Sequence, residues 1–331
     1  MALDNNTPKR KKKTSIFFRS LMRDGKGVEK DDVIKIDEYN IKNFFKLYGR
    51  RIRELIRVNW LYIFGNFPIF ALLLAISGNF SHAALAPTSQ FFPVFYGMTT
   101  ISGGNNVIAP MLGAHAVMGT TTIYSWIDYV LLGFSALTLV TFGLVNTGCA
   151  YIMRNLVRGE HLFLWQDFKS AIKQNFRQGL IIGIIDAVVL FLCGYSVSFY
   201  LANYSTYYIM FFGALAMTAV YLFARYYMYT ILVTFEMSIA KIFKNSLIFA
   251  VISLGKNFLA LLIMVLIVFI TFMLSALFIP IGIIILLMLL ISTCTYVSTY
   301  FAFPKIKKVM IDPYYPNYGK ENTEDENESN S

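Results

Sequence analysis

The chain has 29 lysine and arginine residues, and none of them falls in three long stretches, 58–153, 178–224 and 257–304. Cationic side chains are expensive in hydrocarbon, and cationic loops stay on the cytoplasmic side of a membrane. The basic regions 1–57, 154–177, 225–256 and the tail from Lys305 should therefore share one side. Each uncharged stretch must leave that side and return. Stretch 257–304 is 48 residues, which as one helix would reach ~72 Å across a hydrocarbon layer ~30 Å thick. Two crossings fit, with a turn expected at Ile279-Pro280-Ile281-Gly282, where Pro and Gly interrupt the apolar run. The same argument places two crossings in 178–224, turning at the polar break 202–206. The first stretch has room for two crossings and an external segment. Spans are expected at 58–76, 127–153, 180–201, 207–233, 259–279 and 281–302.

The fold class that follows is all-α. It is a polytopic transmembrane bundle of about six spans in three helical hairpins, with amphipathic interfacial helices and both termini cytoplasmic. The composition agrees: 56% of residues are hydrophobic and 15% charged, against ~25% charged in soluble domains. Three cysteines, all inside apolar runs, exclude a disulfide framework or zinc ribbon. The net charge of +10 could suit nucleic acid. Its placement beside the spans instead points to anionic lipid headgroups, or simply to topology, so nucleic acid is not an expected partner. Three regions follow: a basic, largely disordered cytoplasmic segment 1–40, a membrane domain 41–308 with external segment 77–125, and an acidic disordered tail 309–331.

Residues 41–57 read as one amphipathic helix. Ile41, Phe44, Phe45, Tyr48, Ile52, Leu55 and Ile56 take one face and Lys42, Lys46, Arg50, Arg53 and Arg57 the other. Such a helix lies in the membrane interface or docks on a partner. The external segment has no Lys, Arg, Asp or Glu and should pack on the bundle or on a partner. Its His82 and His115 have no carboxylate or thiol companions, so no metal is expected. Phe168-Lys169-Ser170-Ala171-Ile172, then Lys173-Gln174-Asn175-Phe176, resembles Phe243-Lys244-Asn245-Ser246-Leu247, then Lys256-Asn257-Phe258, with Lys42-Asn43-Phe44 as a fainter echo. The echo suggests three similar hairpins in parallel orientation, although positive-inside topology alone would also put basic segments at these places.

No nucleotide loop, metalloprotease helix, paired-cysteine motif or nucleophile elbow occurs, so neither an enzyme nor a cofactor is expected. Asp186 is the one acidic residue well inside a span. Antiparallel neighbours bring Arg225 to a similar depth, which predicts a structural Asp186–Arg225 pair across the third and fourth spans; the alternative is that each reaches the interface separately. Asn146 and scattered Ser and Thr suggest no polar relay, and Asp128 falls at the external end of the second span, where water reaches it. After that span, Gly159 suits a helix C-cap, Arg154 and Arg158 suit its dipole, and Asp167 suits the N-cap of the next segment.

Gly148-Cys149-Ala150-Tyr151, Arg154-Asn155-Leu156-Val157-Arg158-Gly159-Glu160, Asp167-Phe168 and Lys173-Gln174-Asn175-Phe176 resemble the signature of the YesL-like bacterial membrane proteins (domain of unknown function 624). Asn59-Trp60 with Pro68 is similar to that family's first span, whereas segment 77–125 stands where the family has a short connection. The resemblance marks Arg154, Arg158, Gly159, Glu160, Asp167 and Asn175 as signature residues of a cytoplasmic turn. It implies a bacterial cell membrane protein of unassigned molecular function associated with carbohydrate uptake, with ABC transporter subunits as candidate partners. The expected function is thus a non-enzymatic accessory of carbohydrate uptake; the alternatives are a stand-alone small permease or channel, and a membrane sensor or scaffold.

Overall fold

The computed structural model describes residues 39–101, 108–115 and 117–314. Helix α1 (Ile41–Arg50) begins at Asn40, whose side chain accepts from the Asn43 amide. It ends at Arg51 (φ −103°, ψ 15°), not at 57. Periodicity continues past this point, but Arg51 turns aside to donate to the Gly159 and Glu160 carbonyls, and residues 52–57 open the first span. That span is broken: α2 (Ile52–Gly65) and α3 (Pro68–Ile76) meet at 61°. Pro68 has no N–H to continue the helix, and Asn66 leaves helical geometry (φ −102°, ψ 24°) while its side chain donates to the Tyr62 carbonyl.

The external segment makes its own small structure. Strand β1 (His82–Pro87) pairs antiparallel with β2 (Met118–Ile123), His82 opposite Ile123, and the Thr120-Thr121-Thr122 run suits a strand. Helices α4 (Phe92–Ile101) and α5 (Ile108–His115) lie between and pack on each other. His115 hydrogen-bonds Ser89 at 2.7 Å and stacks on Phe95. The second span follows as α6 (Trp126–Ser135) and α7 (Thr138–Val157), one 32-residue apolar unit. Asp128 is buried, not washed by water. Its carboxylate accepts from the Ser125 amide at 2.8 Å in a capping box that starts α6.

The remaining helices are α8 (Leu164–Gln174), α9 (Phe176–Ala202), α10 (Tyr204–Leu232), α11 (Ile239–Ile252), α12 (Leu254–Leu277), α13 (Ile279–Ile285) and α14 (Ile291–Ile306). The last two join through a π-helical turn, Leu286–Leu290, into the sixth span, Ile279–Ile311. The turn before this span is at extended Phe278. Pro280 and Gly282 fall inside α13 instead, Pro280 at its start, where a missing N–H does no harm. Residues 309–311 continue the last helix and Ile311 is buried, so the tail begins later than 309. The rest of the tail and most of the basic segment 1–40 lie outside the described residues.

Counting the broken pair as one crossing, the chain is a multi-pass, membrane-embedded α-helical bundle of six spans in three hairpins. Each odd span is preceded by a helix at the end that carries the basic segments, here called the basic end. The three junctions have nearly the same backbone: Arg51 (−103°, 15°), Asn175 (−109°, 20°) and Ser253 (−110°, 26°). The repeat is therefore structural, in a register different from the sequence echo, which had paired Asn175 with Asn257. Helix α8 packs on the even span before it, α7, and α11 likewise packs on α10. Helix α1, with no span before it, docks on the last one. Tyr296 and Tyr300 of α14 donate to the Phe44 and Asn40 carbonyls at 2.9 and 2.8 Å, and Tyr48 bonds Thr293. The even spans α7, α10 and α14 touch pairwise at the centre, and their buried residues cluster at 143–157, 223–232 and 292–306, toward the basic end. Odd spans fill the flanks. Where α9 crosses α7, Gly183 and Gly143 meet backbone to backbone, and a Cβ on either would overlap the other helix.

Candidate functional site

Tyr221, Arg225 and Tyr229 recur at every fourth position of α10 and so share one face. Asp186 of α9 is fully buried opposite them. Its carboxylate accepts Arg225 Nε on both oxygens, at 3.1 and 2.9 Å, the Tyr221 hydroxyl at 2.8 Å and the Tyr229 hydroxyl at 2.7 Å. The predicted pair is present, joined by two tyrosines that sequence reasoning passed over. Three donors making four hydrogen bonds to one carboxylate are what a charge needs in a poorly hydrated interior.

Only Nε of Arg225 serves Asp186. The guanidinium keeps 28% of its side-chain surface accessible, and its outer edge faces a cavity of about 130 Å³ where the hairpins meet. Five of the six spans line this cavity: Tyr62 from the first, Asn146 and Ala150 from the second, Arg225, Tyr226 and Thr230 from the fourth, Met264 from the fifth, and Thr295 and Ser298 from the sixth. The Tyr226 hydroxyl is buried without a hydrogen-bond partner. Thr230, Thr295 and Ser298 donate to carbonyls three or four residues back in their own helices, so they face the cavity with lone pairs. Scattered hydroxyls that suggest no relay along the sequence thus converge in space. The signal was present but dispersed, since the hydroxyls come from helices far apart in the chain, α2, α10 and α14.

Asn59 of the first span stitches the π turn of the sixth. Its amide donates to the Leu286 and Leu287 carbonyls at 3.0 and 2.8 Å and accepts from the Ser292 amide at 3.0 Å. A π turn frees backbone groups that hydrocarbon cannot satisfy, and Asn59 supplies the missing partners. The turn ends four residues before Cys294, which also lines the cavity.

The cytoplasmic-turn residues form a separate, structural cluster. Gly159 has φ +76°, and the bonds Gly159 N to Leu156 O and Glu160 N to Asn155 O close a Schellman motif, as expected of this glycine. Arg158 pairs with Glu160 at 2.6 Å. Arg154 stands in the last turn of its own helix, where it donates to the Asn155 side chain, and it also reaches beyond that helix. It donates to the Val233 carbonyl at 2.6 Å, capping the fourth span, and lies over the Tyr151 ring. Asp167 is inside α8, not at its N-cap, and reaches back to the Phe163 amide at 2.9 Å. Asn175 is the α8–α9 junction, its side chain donating to the Ala171 carbonyl. Beside this cluster, Tyr39 is packed near Arg158, and burial pushes its hydroxyl pKa up. A wider cleft of about 480 Å³ at the basic end is lined by Arg57, Leu61 and residues 162–165, with Lys169 over the Trp165 ring.

Residues 122–197, which run from the end of β2 through most of α9, match a family described as a protein of unknown function, DUF624. Compared with curated proteins and with solved structures, the chain finds no match.

Proposed function

We propose that this chain, whose residues 122–197 match the DUF624 family, is a non-enzymatic membrane protein that binds a small polar solute inside its bundle and acts as a small permease. The observation that carries this reading is the cavity at the meeting point of the three hairpins, with a cationic edge on one side and hydroxyl lone pairs on the other. Solute sites at the interface of structural repeats are the usual arrangement in transporters built from them. The experiment is vesicle swelling after reconstitution of the full chain, under gradients of glycerol, acetamide or sodium acetate. Protein-dependent swelling with at least one solute, abolished by Ser298→Phe in the cavity wall, is the expected result. Rates equal to those of empty vesicles for all three would remove the permease.

A second reading makes the chain an accessory of bacterial carbohydrate uptake, with ABC transporter subunits as partners. Its support is the family resemblance together with the uncharged external segment, where Phe91, Ile101, Val117 and Ile123 are exposed. Mild-detergent purification should then recover transporter subunits in stoichiometric amounts; recovery of the chain alone would leave only the permease.

Under either reading the protein sits in a bacterial cell membrane with both termini in the cytoplasm. Its basic segment and the Arg57–Lys169 side lie against anionic headgroups, and no nucleic acid is bound. In a variant without the three native cysteines, Thr120→Cys should react with an impermeant maleimide from outside and Lys173→Cys only after lysis. The reverse pattern would invert the topology.

A further inference from the structure

We infer that the central cavity takes a small monovalent oxyanion, carboxylate or nitrate in class, on the outer edge of Arg225. This rests on the reading of the cavity as a solute site and names what the solute must be. Asp186 already accepts four hydrogen bonds from three donors and occupies only Nε of Arg225, which leaves the two Nη groups without a hydrogen-bond partner among the described residues. A guanidinium edge with parallel N–H bonds matches the two oxygens of a carboxylate or nitrate. A second lining group with a proton to give is the Tyr226 hydroxyl, which is buried without a hydrogen-bond partner. Thr230, Thr295 and Ser298 have committed theirs to backbone carbonyls. Ala150 and Met264 add apolar wall, suited to a short alkyl group behind a carboxylate.

Depth decides the source of the anion. Asp186 lies ten residues into α9 from Phe176, ~15 Å along the helix, and Arg225 lies seven residues from the end of α10, ~10 Å. A lipid phosphate held at the interface does not reach this level, so the occupant is a free anion.

The test is isothermal titration of the purified full chain in mild detergent with acetate, nitrate, acetamide and glycerol, alongside thermal unfolding. Saturable acetate binding, competed by nitrate and at least tenfold tighter than acetamide, is expected. Tyr226→Phe should weaken it by about tenfold. The neutral double variant Asp186→Asn with Arg225→Gln should abolish it without leaving a lone buried charge. Acetamide or glycerol binding as tightly as acetate overturns the anion and leaves the solute reading standing. Acetate binding unchanged in the double variant places the anion elsewhere and also overturns the inference. Failure of all four probes to bind removes both. Should the double variant not fold, the acetate–acetamide contrast in the unaltered chain decides by itself.

Discussion

At the scale of single residues, the molecule turns on one carboxylate. Asp186 is legible in the sequence because an acid in an apolar run is rare, and counting from the hairpin turn finds Arg225. The tyrosines were legible too, as positions four before and four after Arg225 on one helical face, but their aromatic rings blend into a chain with 21 Tyr and 30 Phe. Replacing either Asp186 or Arg225 alone with Ala should cost about 3–5 kcal/mol, because the partner is left charged and buried. The double replacement should cost clearly less than the sum. A double-mutant cycle by denaturant unfolding in micelles measures this, and additive effects would mean that the two charges do not couple. Arg154 is the opposite case. Its position at a helix end suggests a role for its own helix, but it also donates to the Val233 carbonyl, a partner that only the tertiary fold supplies.

At the scale of elements, helix existence followed from charge and apolarity, and helix ends did not. The ends of α1 and α2 are set by Arg51 and by the Asn66–Pro68 break, where side chains compensate carbonyls from elsewhere in the chain or from the turn before. The strand pair was invisible because six-residue strands of Ala and Thr have little hydrophobic contrast. Two elements carry predictions. Gly183→Ala should destabilise the α7–α9 crossing by about 2 kcal/mol or more, while Gly194→Ala, with open space around it, should be neutral; unfolding midpoints compare them, and equal midpoints would refute the close crossing. Asn59→Leu removes three hydrogen bonds from the π turn. At about 0.6 kcal/mol each in membrane proteins the loss is about 2 kcal/mol, with faster amide exchange expected at 286–292. Unchanged exchange there would show that the turn holds itself.

At the scale of the whole molecule, the three repeats close on themselves, since α1 takes on α14 the place that α8 and α11 take on α7 and α10. Tyr296→Phe with Tyr300→Phe removes two of the bonds that hold α1. Limited proteolysis should then cut near residue 51 sooner than in the unaltered chain, and equal cutting would mean that ring packing alone holds the helix. The number of hairpins could be read from the charges; their closure could not, because it joins residues 252 and 260 positions apart.

The link between Asp186 and Arg225 also has a consequence for how the chain is made. The two are 39 positions apart, and a ribosome adds ~5–20 residues per second, so Asp186 enters the insertion machinery about 2–8 s before its partner exists. An unpaired aspartate at mid-span opposes release into lipid by about 2.5–3.5 kcal/mol. The third helix must wait at the translocon for the fourth, which makes the hairpin, and not the single helix, the unit that partitions into the bilayer.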